Sequence, residues 1–361
     1  MVFVGGPRQV GKTTLSFSLL KNGSENHPAY LNWDFPPIRD DLMKGILPLG
    51  QKVLVLDEIH KYSEWRNLVK GIFDRYKSQV SILVTGSARL DFYRRGGDSL
   101  QGRYHYYRLH PFSYLEIAKT TQDPLGELLR FGGFPEPFLL KDEVEWKRWQ
   151  RERKTRVIAE DLISLEQVNN ISKLDTLVSL LPSRVGSVLS INSLKEDLLV
   201  AHETVSRWIE ILENLYYCYR ISPYTTSKIK GMKKEKKLYL WDWSLCPTEG
   251  SRWENLVASH LLKYCHFHED TMGEEMNLFF IRDKEKREID FLVCKGQTPM
   301  FAVECKHGRG EISPHVHYFS KRTSIPKFYQ VYRSEEPGKE FVDSRAELLP
   351  FSEFCRKILK I

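Results

Sequence analysis

The sequence predicts an α/β protein in three parts: a parallel sheet with helices on both faces, a helical module ending in a two-stranded ribbon, and a second α/β domain. Three patterns carry this expectation. Across residues 1–150, apolar runs at 1–4, 53–56 and 81–85 alternate with helix-like stretches, as strands of a covered parallel sheet do. Residues 151–245 are mostly helix-like, with strand-like segments at 216–221 and 237–241. Residues 246–361 open on a helix, turn β-rich, and carry a helix–strand pair at 313–318 and 328–332.

Taken in order, the clearest helix of the first part spans 64–76. Trp65, Leu68, Val69, Ile72, Phe73 and Tyr76 recur at i, i+3, i+4, i+7, i+8 and i+11, one apolar stripe on the helical period. Gly132, Gly133, Pro135 and Pro137 punctuate the end of this region. In the second part, Val205, Trp208, Ile209 and Leu212 form an apolar stripe on a helix that follows a shorter one around 194–200. The two strands after it flank Lys228, Lys230, Lys233, Lys234, Lys236 and Lys237, set against the single Glu235. Helix, turn, helix and a ribbon with a basic tip describe a winged-helix module. The chain shows no internal repeat and no low-complexity segment.

Composition narrows the class. With 361 residues, 41% hydrophobic and 12% aromatic, the chain has material for two or three packed cores and is too apolar to be disordered. A mean hydropathy of −0.41 and the lack of an apolar run of about 18 residues argue against a membrane-spanning protein. The first residues read as a buried strand rather than a charged-then-apolar leader. Cys218, Cys246, Cys265, Cys294, Cys305 and Cys355 are scattered without a C-x-x-C pair, which fits reduced thiols in a cytoplasmic protein better than a disulfide framework or a zinc site. The net charge of +7 divides into +4 for residues 1–150 and +3 for the rest, so the whole-chain charge is a weak pointer to nucleic acid.

Gly6, Pro7, Arg8, Gln9, Val10, Gly11, Lys12 and Thr13 match G-x-x-x-x-G-K-[ST], between the apolar Val2-Phe3-Val4 and a helix-like stretch from Thr14. Strand, glycine loop and helix are the context in which this P-loop motif binds ATP. The glycines let backbone N–H groups turn inward around phosphates, and the helix N-terminus adds its positive end. In this reading Gly6 to Thr14 contact the nucleotide, Lys12 reaches the β- and γ-phosphates, and the Thr13 hydroxyl ligates Mg²⁺. The partner motif follows: the apolar strand 53–56 ends in Asp57 and Glu58. At a strand's carboxyl end, Asp57 holds the Mg²⁺ hydration shell and Glu58 polarises the attacking water, which favours hydrolysis over transfer to another acceptor. A further strand, 81–85, presents Thr85 or Ser87 as a polar γ-phosphate sensor, with a loop N-cap serine as the structural alternative. Arg103 is read either as a γ-phosphate finger, from its own or a neighbouring subunit, or as a structural arginine.

In order, these residues resemble a known group: prokaryotic AAA-type P-loop ATPases with a winged helix and a C-terminal restriction-endonuclease-like domain of unknown function. The matching pieces are the Gly-Pro-Arg-Gln-Val-Gly-Lys-Thr-Thr opening, Leu-Asp-Glu-Ile-His at 56–60, Thr-Gly-Ser at 85–87, and Gly-Gly-Phe-Pro at 132–135. Gly102-Arg103 followed by Leu109-His110-Pro111-Phe112 also fits. The resemblance implies three domains, at 1–150, 151–245 and 246–361, and an ATPase core working as a homo-oligomer or as a nucleotide switch. It also implies residues ahead of the glycine loop that contact the base. Here the loop begins within five residues of Met1, as a misassigned start or a truncation would leave it, and adenine recognition is open.

Residues 250–306 carry a second constellation. Glu254 flanks a helical stripe of Trp253, Leu256, Val257, Leu261 and Tyr264. A turn at 295–298 folds 287–293 against 301–306 as a hairpin, which sets Asp290 about opposite Glu304. Strand alternation puts Glu304 and Lys306 on one face, and turns Ile289, Phe291 and Val293 away from Asp290. Two or three carboxylates hold Mg²⁺ against a phosphate, and a lysine activates water or stabilises developing charge. Glu254, Asp290, Glu304 and Lys306 are similar to the D…[DE]-x-K arrangement of restriction-like nucleases, either active or as an inactive descendant.

Off its apolar stripe, the second helix of the winged module carries Glu203, Glu210 and Glu213 against Arg207. Phosphates repel that surface, so a lid or protein-contact role suits it better than major-groove reading. The sequence therefore leads to an ATP- and Mg²⁺-dependent P-loop ATPase whose nucleotide state acts through the winged helix on a nuclease-like domain that meets DNA or protein, with no membrane partner. The alternative is a slow nucleotide switch with an inactive nuclease fold.

Overall fold

The computed structural model describes residues 1–86, 100, 102–156, 171–225, 236–333, 342–343 and 345–361. Its contacts divide the chain into two units. The first is residues 1–110 with 214–216, and the second is 111–213 with 217–361.

The first unit is built on five strands, β1 (Val2–Gly5), β2 (Tyr30–Asn32), β3 (Val53–Asp57), β4 (Ser81–Thr85) and β5 (His105–Arg108). All are parallel, in the order β2-β3-β4-β1-β5. The three apolar runs of the sequence are β1, β3 and β4, side by side at its centre. Leu54, Val55, Leu56 and Val84 are fully buried, as near-continuous apolar strands must be when a sheet is covered on both faces. The stripe at 64–76 forms helix α3 (Trp65–Tyr76), preceded by α1 (Lys12–Ser18) and α2 (Pro36–Lys44). It buries Trp65, Val69 and Ile72, with Trp65 against Phe3 of β1 at 6.0 Å between ring centroids. Each fully buried side chain of this kind contributes about 1.5–3 kcal/mol.

The second unit begins at residue 111, earlier than the division expected near 150. Helices α4 (Tyr114–Ile117), α5 (Pro124–Phe131), α6 (Pro135–Leu140) and α7 (Glu143–Arg156) belong to it. Specific polar contacts tie them to downstream residues. The Trp243 indole donates to the Leu128 carbonyl at 2.6 Å, and Gln150 Nε2 donates to Asp242 at 2.6 Å. Helices α8 (Ile171–Leu180), α9 (Ile191–Leu198) and α10 (His202–Asn214) follow, and α10 buries the predicted Val205, Trp208, Ile209 and Leu212.

The ribbon after α10 forms from β6 (Cys218–Pro223) and β7 (Lys237–Leu240), paired antiparallel. It does not stand alone. Ser222 and Pro223 pair in parallel with Phe279 and Phe280, so the ribbon ends an eight-stranded sheet. The sheet continues through β8 (Met276–Arg282), β9 (Glu288–Lys295), β10 (Thr298–Lys306), β11 (Phe328–Tyr332), β12 (Val342–Asp343) and β13 (Ala346–Pro350), in the order β12-β13-β11-β10-β9-β8-β6-β7. Helices α11 (Glu249–Met272) and α12 (Pro314–Arg322) realise the predicted helices of this part. Lys228, Lys230, Lys233, Lys234 and Glu235, the expected basic tip, lie outside the described residues. All six cysteines are free thiols. Among the described residues, no helix is long and apolar enough to cross a membrane.

Candidate functional site

The loop between β1 and α1 adopts the backbone its glycines permit. Gly6 has φ 130° and Gly11, the residue before α1, has φ 97°. A Cβ on Gly6 would lie 2.3 Å from the Leu109 carbonyl oxygen, so the close approach of the chain after β5 requires glycine there. Gln9 is also left-handed at φ 60°, a conformation that costs an L-residue about 1–2 kcal/mol. The Lys12 ammonium folds over this loop, donating to the carbonyls of Gly6 at 3.0 Å and Pro7 at 2.6 Å.

Asp57 ends β3, in parallel register with Asn32 and Thr85. Its carboxylate is buried and accepts four hydrogen bonds. Tyr30 Oη at 2.6 Å and Thr13 Oγ1 at 3.2 Å donate to Oδ2, while Thr85 Oγ1 at 2.7 Å and the Glu58 N–H at 3.1 Å donate to Oδ1. The Thr13 hydroxyl at the start of α1 and the strand-end carboxylate thus meet. Hard oxygen donors held this way fit Mg²⁺, which takes one or two protein oxygens and keeps its waters. Thr85 buttresses Asp57 in this arrangement. Tyr30 escaped the sequence analysis: it is one aromatic in an apolar run, and only the parallel register of β2 with β3 brings it to Asp57.

Glu58 has φ 56°, a left-handed turn out of β3, and its N–H also donates to the Thr85 carbonyl at 3.1 Å. Burial raises its pKa above the usual carboxylate range. Lys61, 3.3 Å away, opposes that rise and the neighbouring Asp57 adds to it. Lys61 also pairs with Asp34 at 2.5 Å, which fixes the lysine that orients Glu58. Ser87 lies outside the described residues. Arg103 pairs with Asp74 of α3, with Nε at 3.0 Å from Oδ1.

In the second unit the hairpin closes as expected, with Gly296 and Gln297 between β9 and β10. Past a register shift between Pro299 and Phe301, the ladder ends on Val303 with Phe291, which brings the adjacent Glu304 and Asp290 level, and the Cys305 N–H donates to Asp290 Oδ2 at 2.8 Å. Lys306 donates to Glu304 Oε1 at 2.7 Å, and the other oxygen, Oε2, is buried without a hydrogen-bond partner. From α11, Glu254 accepts from Tyr239 Oη at 2.8 Å. Burial, then the nearby Asp290, pushes Glu254 and Glu304 up to about 7, and burial raises Asp290 as well.

Two residues of this cluster went unassigned in the sequence. The Lys237 ammonium lies 2.5 Å from Glu288 Oε1 and 3.6 Å from Glu254 Oε1. Glu288 shares a face with Asp290 by the same alternation that placed Glu304 with Lys306, so its signal was present. Lys237 was counted with the basic tip, because only the sheet brings β7 to this site. The carboxylates as arranged do not fit a metal ion: among the described residues, no group of three or more His, Cys, Asp or Glu side chains could hold one.

Residues 1–118 match the model of a family described as an AAA domain. Residues 122–250 and 249–354 match two further models, each described as a domain of unknown function. The chain is 25% identical over 321 residues to an uncharacterized protein of Methanocaldococcus jannaschii, covering 80% of this chain and 70% of that one. It is 23% identical over 352 residues to an uncharacterized protein of Mycobacterium tuberculosis, covering 92% of this chain and 73% of that one. Among solved structures, the Aeropyrum pernix ORC1 protein in complex with DNA aligns at a TM-score of 0.31 and 16% identity, covering 72% of this chain and 88% of that one. A Thermococcus gammatolerans assembly of McrB AAA+ hexamers with bound McrC aligns at 0.22 and 10%, covering 48% and 46%. Both structural likenesses are too low to inform the site. The similarity of residues 1–118 to AAA domains, together with the loop geometry, supports a nucleotide-binding P-loop domain in the first unit.

Proposed function

We propose that the protein hydrolyses ATP at the amino-terminal loop, with Lys12, Thr13, Asp57 and Glu58 as its working residues. The observation that carries this reading is the Asp57 carboxylate, clamped by Tyr30 and Thr85 and joined to the Thr13 hydroxyl at 3.2 Å. Mg²⁺, when bound with the nucleotide, neutralises charge on the phosphates. Thr13 and Asp57 would hold it. Lys12 exchanges its contacts with the Gly6 and Pro7 carbonyls for phosphate oxygens. Glu58 orients a water and accepts its proton. A raised pKa strengthens it as a base, because proton affinity nearer neutrality improves the transfer. Lys61 holds the Glu58 carboxylate while this happens.

Phosphate release by the full chain tests the reading. Glu58→Gln is expected to lower kcat by about 10²-fold or more with nucleotide affinity unchanged. Equal, near-zero rates in both proteins with intact binding point instead to a nucleotide switch.

A second reading takes the carboxy-terminal cluster as the site of a nuclease-like domain. The unpartnered Glu304 oxygen beside Asp290 favours it, since a buried acceptor with no donor invites a cation or a proton. With Lys237 paired to Glu288 and Glu254, this arrangement does not favour metal-dependent cleavage.

A further inference from the structure

Four carboxylates, Glu254, Glu288, Asp290 and Glu304, gather with two ammonium groups in the second unit. The two lysines are not equivalent. Lys306 is 42% exposed at its side chain and holds one carboxylate oxygen, so it is free to exchange with solvent or a ligand. Lys237 is 3% exposed, with its Nζ 2.5 Å from Glu288 Oε1, 3.6 Å from Glu254 Oε1 and 5.4 Å from the Phe280 ring centre. A charge this buried is tolerated only when paired, and its partners here come from two elements, α11 and β9. The cluster is closed around it: Tyr239 Oη caps Glu254 Oε1, and a Cβ on Gly186 would lie 3.0 Å from Glu254 Oε2. On the other side of the cluster, Glu304 Oε2 is buried and unbonded.

We propose that the Lys237 ammonium is the built-in counter-ion of this carboxylate cluster, holding the charge position between Glu254 and Glu288 that a divalent cation would take, so that divalent cations bind well only when Lys237 is withdrawn or removed. The proposal takes the cluster as a cation site only once the Lys237 charge is gone, and it is independent of whether DNA is cut. It explains why four acids close together do not form a metal cradle as they stand. Replacing Lys237 with methionine keeps the apolar stem and removes the charge. The variant is left with uncompensated buried carboxylates, which lowers its stability until a cation replaces the one lost.

Manganese uptake by the full-length protein, free of nucleotide, is the test, with Mn²⁺ itself as the probe in electron paramagnetic resonance titration and thermal melting. Lys237→Met is expected to bind Mn²⁺ at least tenfold more tightly than wild type, and to melt lower than wild type in EDTA and recover with Mn²⁺. Adding Asp290→Asn should abolish the gain. Lys237→Arg, which keeps the charge, should behave as wild type. Wild type binding Mn²⁺ as tightly as Lys237→Met overturns the proposal. So does a folded Lys237→Met that takes up none, or failure of both Lys237→Met and Lys237→Gln to fold in saturating Mn²⁺. Plasmid nicking by Mn²⁺-loaded Lys237→Met reports separately on the nuclease reading: no nicking with Mn²⁺ bound removes that reading and leaves the counter-ion assignment standing.

Discussion

Replacing Asp57 by alanine strands hydroxyls that the fold has buried around a single acceptor. Tyr30 and Thr85 are 5% and 0% exposed, and their hydroxyls donate to the two oxygens of Asp57 at 2.6 and 2.7 Å. Each buried donor left without an acceptor costs about 1–3 kcal/mol, so the pair amounts to about 2–6 kcal/mol. Thr13 and the Glu58 N–H add less, because water or the Thr85 carbonyl can serve them. Asp57→Asn keeps one acceptor oxygen and lets a hydroxyl rotate to accept from the new amide, so its cost should be smaller, about 1–3 kcal/mol. Hydrogen exchange on the β3 and β4 amides reads the loss locally. A drop of 2–6 kcal/mol in opening free energy is about a 30-fold to 10⁴-fold acceleration. Protection in Asp57→Ala equal to wild type, or lower protection in Asp57→Asn than in Asp57→Ala, would mean that Asp57 does not hold these hydroxyls.

Two further outcomes follow from the geometry. Gly6→Ala forces a left-handed residue and a Cβ against the Leu109 carbonyl, so it should cost at least about 1–2 kcal/mol and weaken nucleotide binding; unchanged values in urea unfolding and ATP titration contradict this. Glu254 and Glu304 are raised from 4.5 to about 7, so their protonated forms favour the fold; that stability is present below 4.5 and is lost as pH rises through about 7. Calorimetric melting of the second unit should fall between about pH 4.5 and 7, less steeply in Glu304→Gln, and equal slopes in the two proteins count against the assignment.

Much of the first unit was legible in the chain because its signals are local. The loop, the strand after it and the acids at 57 and 58 are contiguous segments whose periodicity and glycine content define their conformation. What escaped depends on non-local pairing. Tyr30 reaches Asp57 only through the register of β2 with β3, and Arg103 finds Asp74 only because α3 lies where it does. In the second unit, a hairpin turn near residue 297 sets Asp290 about level with Glu304; the strands reach that register through a one-residue shift between Pro299 and Phe301 that the turn by itself does not supply. Lys237 was out of reach for the opposite reason. It reads as one lysine of a basic run, and the parallel pairing of β6 with β8, which ties the ribbon to the rest of the sheet, has no short-range signature.

In the proposed function, Lys12, Thr13 and Asp57 cradle a magnesium–nucleotide complex. Calorimetric titration of the full chain with ATP and Mg²⁺ tests it most directly, with Lys12→Ala alongside. The expected result is a saturable single site whose affinity drops at least about tenfold in Lys12→Ala, the loss of one charge-assisted contact. A folded wild-type protein that gives no binding heat at any temperature tried, or a Lys12→Ala variant that binds as tightly as wild type, would contradict it.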